Sequence, residues 1–124
     1  MDKQDLKQRT KQFAVNTIRF VNSLPKSKSN DVVSYQVLKS ATSVAANYRA
    51  SLRGRSSAEF ISKLNIVLEE ADESMFWFEI IEETNEKLDK DILKSLHKES
   101  NELTAIFTTS LKTARKNLTS KSNF

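Results

Sequence analysis

The sequence contains no cysteine, one glycine, one proline and a single histidine. Without cysteine there is neither a disulfide framework nor a thiolate metal site. Glycine and proline usually supply about 7% and about 5% of a chain. The turns of β sandwiches and barrels need Gly, Asn-Gly or Pro, so one of each in 124 residues excludes such folds. Carboxylate-bridged metal bundles use Glu-x-x-His on two helices. Here the one histidine, His97, has Lys94 three residues before it. A nucleophile–base pair would also have to use that histidine, and a single glycine cannot build a phosphate-cradling loop. Long apolar runs are missing as well. Met75-Phe76-Trp77-Phe78 is followed at once by Glu79, far short of the ~20 residues of a membrane helix. The charged start, Met1 to Arg9, carries no secretory signal. The reading is a non-enzymatic cytoplasmic protein with no catalytic residue, metal, cofactor, membrane contact or small-molecule substrate. His97 is read as a surface or boundary residue.

What is present is helical periodicity. An all-α, single, up-down-up-down four-helix bundle is expected, with helices over about 5–24, 31–52, 56–86 and 90–118 and a polar tail at 119–124. In the first helix Leu6, Thr10, Phe13, Thr17, Phe20 and Leu24 recur by four and three, and Ala14, Ile18 and Val21 widen the stripe. Pro25 stops it. Ser29, Asn30 or Asp31 is placed to cap the second helix, whose inner side reads Val33, Val37, Ala41, Val44, Tyr48 and Leu52. Gly54 falls where a left-handed C-cap is favoured, and Ser56 with Glu59 fits a capping box. The third helix buries Phe60, Leu64, Val67, Ala71, Met75, Phe78 and Ile81. The fourth, capped by Asp89, buries Ile92, Leu96, Leu103, Phe107, Leu111, Ala114 and Leu118. The loops are too short for a crossover, so each helix neighbours the next.

The formal charge of +4 conceals an asymmetry. Residues 1–55 carry eleven bases and three acids, and residues 56–124 nine bases and thirteen acids. Glu69 to Glu86 holds eight acids and no base. In the third helix Ile66, Trp77 and Ile80 share a second face with Glu69, Glu70 and Glu73 on or beside it. These six residues are candidates for a subunit interface, since Trp and Phe are enriched in interface cores. The alternative is a wide core stripe that Trp77 closes at one end.

The run from Lys39 to Ser56, with Ser43-Val44-Ala45-Ala46-Asn47 and then Arg49, Arg53, Gly54 and Arg55, resembles the signature of the bacterial four-helix bundle proteins encoded in intervening sequences of large-subunit ribosomal RNA genes. Glu59-Phe60-Ile61-Ser62-Lys63-Leu64, Glu69-Glu70-Ala71-Asp72-Glu73-Ser74, and Trp77 with Glu79 are similar to it too. Lys39 and Ser40 stand where Arg and Ala are common, and Ala45 where Gly often stands. The resemblance implies a left-handed bundle that assembles into a ring, commonly a homopentamer, and implies no defined activity. A relative in fold, the accessory protein of diversity-generating retroelements, forms a basic pentameric barrel that binds nucleic acid and the reverse transcriptase.

In such a bundle the start of helix 1, the end of helix 2, the start of helix 3 and the end of helix 4 share one pole. Candidates there for contact with RNA or DNA phosphates are Lys7, Arg9, Lys11, Arg49, Arg53, Arg55, Lys112, Arg115 and Lys116, with Lys3 and Lys121 nearby. Helix-end electrostatics explain part of this placement: bases suit helix C-termini by about 0.3–1 kcal/mol each. Pairing about Gly54 sets Lys39 near Glu69 and keeps the turn arginines away from Glu69–Glu73, so these acids are expected to meet bases of a neighbouring subunit. The competing reading is a protein–protein scaffold with no nucleic-acid role.

Overall fold

The computed structural model describes residues 2–122. Four helices, α1 (Lys3–Asn22), α2 (Lys28–Ser51), α3 (Ser57–Thr84) and α4 (Asp91–Ser122), follow one another through short connections, and no strand occurs among the described residues. The bundle is all-α, as expected. Consecutive helices pack along their lengths, while α1 and α4 touch much less closely. The fourth seam is therefore an open groove of about 630 Å3 between Gln8, Gln12, Asn16, Ser95 and Lys98.

Local signals explain most of the boundaries. The Asp2 carboxylate accepts from Asp5 N–H and the Asp5 carboxylate accepts from Asp2 N–H, a reciprocal cap that starts α1 two residues before the expected position. Ser27, rather than Ser29, Asn30 or Asp31, caps α2 by accepting from Asn30 N–H. With Ser27 extended, its hydroxyl oxygen satisfies a free N–H of the first turn, so the helix begins as soon as Pro25 is cleared. Ser56 accepts from Glu59 N–H, and Asp89 accepts from Asp91 N–H at the entry to α4. The fourth helix runs through Ser122, so the tail expected from 119 is helical to that point; residues 123 and 124 lie outside the described residues.

Gly54 differs from expectation. It does not adopt the left-handed conformation; instead α2 tightens into i→i−3 bonds, Arg53 N–H to Ala50 and Gly54 N–H to Ser51. What favours glycine there is space. A Cβ would lie 3.2 Å from Ser51 O and 3.3 Å from Phe60 N, both backbone atoms.

The core is built where the apolar stripes meet. Phe13 and Phe78 pack edge to face across the bundle at 6.2 Å, Phe20 and Phe78 at 6.4 Å, and Tyr48 meets Phe107 at 5.3 Å. Two expected core residues turn outward: Ile18 is 40% exposed and Ile92 58%. Ile92 lies beside the loose α1–α4 seam, where Leu93 takes the buried place expected of it; Ile18, seven residues after Lys11, lies on the α2 flank of α1. Buried hydroxyls spend their protons locally: Thr10, Thr17 and Ser100 donate to carbonyls of the preceding turn. Ser74 donates to Ser40 across the α2–α3 contact at 2.8 Å, where small side chains let the two helices approach. At the pole opposite the basic residues, the amides of Asn30 and Asn85 exchange hydrogen bonds of 2.9 and 3.1 Å. Asn30 also donates to Pro25 O and Asn85 to Ile81 O, which ties the α1–α2 loop to the end of α3.

Candidate nucleic-acid interface

The basic pole resolves into separate places once azimuth is considered as well as height. Successive helix residues turn by ~100°, so Lys7 and Arg9 face directions about 200° apart. Lys7 and Lys11, four residues apart, point toward α2. There they line a groove of about 560 Å3 with Gln4, Gln8, Thr42, Ala45, Ala46 and Arg49. Its α2 wall is low because Ala45 and Ala46 have little side chain. Three cations and two amides surround it and no acidic side chain lines it. Lys11 and Arg49 are exposed and Lys7 is half-buried. Next to it, around Gly54, a shallower depression holds Lys3 and Arg55; the Lys3 ammonium lies 5.3 Å above the Phe60 ring.

Arg9 belongs elsewhere. Its Nε and Nη2 each donate to Glu99 at 2.7 Å, and Glu102 lies 3.7 Å away. The pair spans the open α1–α4 seam, with both side chains about one quarter exposed. The hydrogen bond to Glu99 holds the guanidinium above its already high ordinary pKa, and the charge is spent inside the chain. Arg115 reaches across to α3 and donates to Asn65 at 2.8 Å. Arg53, Lys112 and Lys116 are exposed; the side chain of Lys121 lies outside the described residues.

The third helix carries the acidic counterpart. Ile66, Trp77 and Ile80 are half-buried, Glu70 partly so, and Glu69 and Glu73 exposed. Trp77 and Ile80 pack against the core, and the Trp77 indole N–H is buried without a hydrogen-bond partner among the described residues. Phe76, which the spacing argument does not assign to this face, is 49% exposed and packs edge to face on Trp77 at 4.9 Å. Burial first, and then the charge of Glu73, raise the Glu70 carboxyl pKa above its ordinary value, with Lys39 of α2 acting the other way. So Lys39 does stand near the acids, as pairing about Gly54 requires.

His97 is half-buried and 2.8 Å from Glu79 Oε2, a contact between α4 and α3. No group of acids and histidine able to hold a metal ion occurs among the described residues, and no helix there is long and apolar enough to cross a membrane.

Fold and surface define a class: a small four-helix bundle whose chemistry is displayed as charge on helix flanks. The family described as 23S rRNA-intervening sequence protein matches residues 2–109, and the chain belongs to that family. Among solved structures it is similar to a protein of unknown function from the S23 ribosomal protein family of Bacteroides thetaiotaomicron, at 32% identity and a TM-score of 0.80 over 90% of this chain and 99% of that one. No curated protein matches the chain.

Proposed function

We propose that this chain is a non-enzymatic, cytoplasmic, oligomeric bundle protein that binds nucleic-acid phosphates through the Lys7–Lys11–Arg49 groove. The observation that carries this reading is the groove's composition: three cations and two amides around a small-residue wall, without one acid. Phosphate contacts position a protein on nucleic acid without reading sequence, and nothing in the groove is built to read bases. Repetition of the groove around a ring would multiply its charge, and a homopentamer is the assembly that the family resemblance favours. Fluorescence anisotropy with unrelated RNA and DNA sequences tests the reading. Binding is expected to be indifferent to sequence and to weaken steeply with salt. Absence of binding at low salt refutes it.

A second reading, a protein–protein assembly module, draws on the α3 ridge, where exposed Phe76 lies on Trp77 beside Glu69, Glu70 and Glu73. A surface this acidic repels its own copy, so a self-contact there favours a head-to-tail geometry, which closes into rings. Glu73→Lys followed by light scattering tests the ridge: a smaller assembly mass supports it, and an unchanged mass removes it.

A further inference from the structure

We propose that the α1–α2 groove takes one strand of a nucleic-acid duplex, DNA or RNA, in preference to a single strand. The inference rests on the nucleic-acid reading above and adds the substrate class. Proteins that hold single strands without sequence preference pair a basic track with aromatic rings on which bases stack. The track is present here and the rings are absent from it. The groove is lined by lysine, arginine, glutamine, threonine and alanine. Tyr48, one residue before Arg49, is 3% exposed and turned into the core against Phe107. Phe60, in the neighbouring depression, is half-buried and has the Lys3 ammonium over its face. Among the described residues the exposed aromatics, Tyr35 and Phe76, belong to the first half of α2 and to the α3 ridge, away from the groove.

A binding surface with charge and amides alone gains from phosphate density, which is highest on a duplex. Geometry agrees. Lys7 and Lys11 are four residues apart, about 6 Å of rise, close to the spacing of successive phosphates along one strand, and Arg49 faces them from α2. Gln4 and Gln8 add neutral donors along the same edge. For the three contacts of Lys7, Lys11 and Arg49, salt slopes of about 0.9 each for duplex DNA and about 0.7 for a single strand, starting from equal affinity at about 1 M salt, make the duplex about sixfold tighter at about 50 mM.

The test uses the full chain and four labelled oligonucleotides of one sequence: single-stranded and duplex DNA, and single-stranded and duplex RNA. Anisotropy titrations run from 50 mM to 300 mM salt. Both duplexes are expected to bind more tightly than their single strands, duplex DNA by about the factor above at 50 mM salt. Lys11→Ala and Arg49→Ala are each expected to reduce the duplex salt slope by roughly 1. Both side chains are exposed, so melting curves should match wild type. Single strands bound as tightly as duplexes, or slopes unmoved by both substitutions, overturn the inference. A single-strand preference leaves the nucleic-acid reading standing, whereas no binding by any of the four removes both.

Discussion

Replacing Arg9 separates structure from function in this bundle. The Arg9–Glu99 pair makes two charge-assisted hydrogen bonds of 2.7 Å with about one quarter of each side chain exposed. Exposed ion pairs couple by about 0.2–1 kcal/mol, and breaking a fully buried pair costs about 3–5 kcal/mol. A bidentate pair at intermediate burial falls between, so a cycle of Arg9→Ala, Glu99→Ala and the double variant should give a coupling of about 1–2 kcal/mol. Arg9→Ala alone also leaves Glu99 and Glu102 one turn apart without their shared base, and should lower Tm by roughly 5 °C. Urea denaturation at two salt concentrations reads the coupling, which should persist at 1 M salt because 2.7 Å is within the ~3 Å Debye length. In the same preparations Arg9→Ala should leave nucleic-acid affinity intact while Lys11→Ala lowers it. A coupling below about 0.3 kcal/mol would refute the energetic argument. An Arg9→Ala variant that loses affinity as Lys11→Ala does would refute the assignment of Arg9 to the α1–α4 seam.

Three further outcomes follow from the geometry. Gly54→Ala places a methyl against two backbone atoms at 3.2 and 3.3 Å and should destabilise by about 1–2 kcal/mol in chemical denaturation, although no left-handed residue is involved. Asn85→Ala removes the partner of the buried Asn30 amide and should cost about 1–3 kcal/mol, with hydrogen exchange quickening first at the ends of α1 and α3. Glu70→Gln should raise stability at neutral pH. A carboxyl whose folded pKa is raised above 4.5 contributes stability at pH below the unfolded value and loses it as pH rises through the folded one. The variant should therefore match wild type near pH 4 and exceed it at neutral pH, by only a few tenths of a kcal/mol, since solvent screens this half-buried site. Thermal melts at the two pH values check it.

The nucleic-acid candidates show where reading by sequence stops. Assigning bases to a pole uses height along each helix, and by height Arg9 sits with Lys7 and Lys11. Azimuth was also legible: two residues turn a helix by about 200°, enough to place Arg9 on the flank away from Lys7. Its partner was not legible, because Glu99 lies 90 residues away and meets Arg9 only through the packing of α1 beside α4.

Local chemistry is what the chain carries in one dimension. The 3.6-residue recurrence of Phe13, Phe20, Val37, Val44, Leu64, Phe78, Leu103 and Phe107, the serines that accept at helix starts, and the near absence of Gly and Pro determined four helices and one core. Each of these signals acts within a few residues, as burial stripes and caps do. Contacts between distant segments were decided by tertiary structure: the Arg9–Glu99 bridge, the Asn30–Asn85 amide pair, the outward turn of Ile92 at a loosely closed seam, and the separation of Lys7, Lys11 and Arg49 into a groove of their own. Such pairings depend on which flanks the helices present to each other. That choice is made by packing four stripes of unequal width around one core, a property of the assembled bundle and of no single helix.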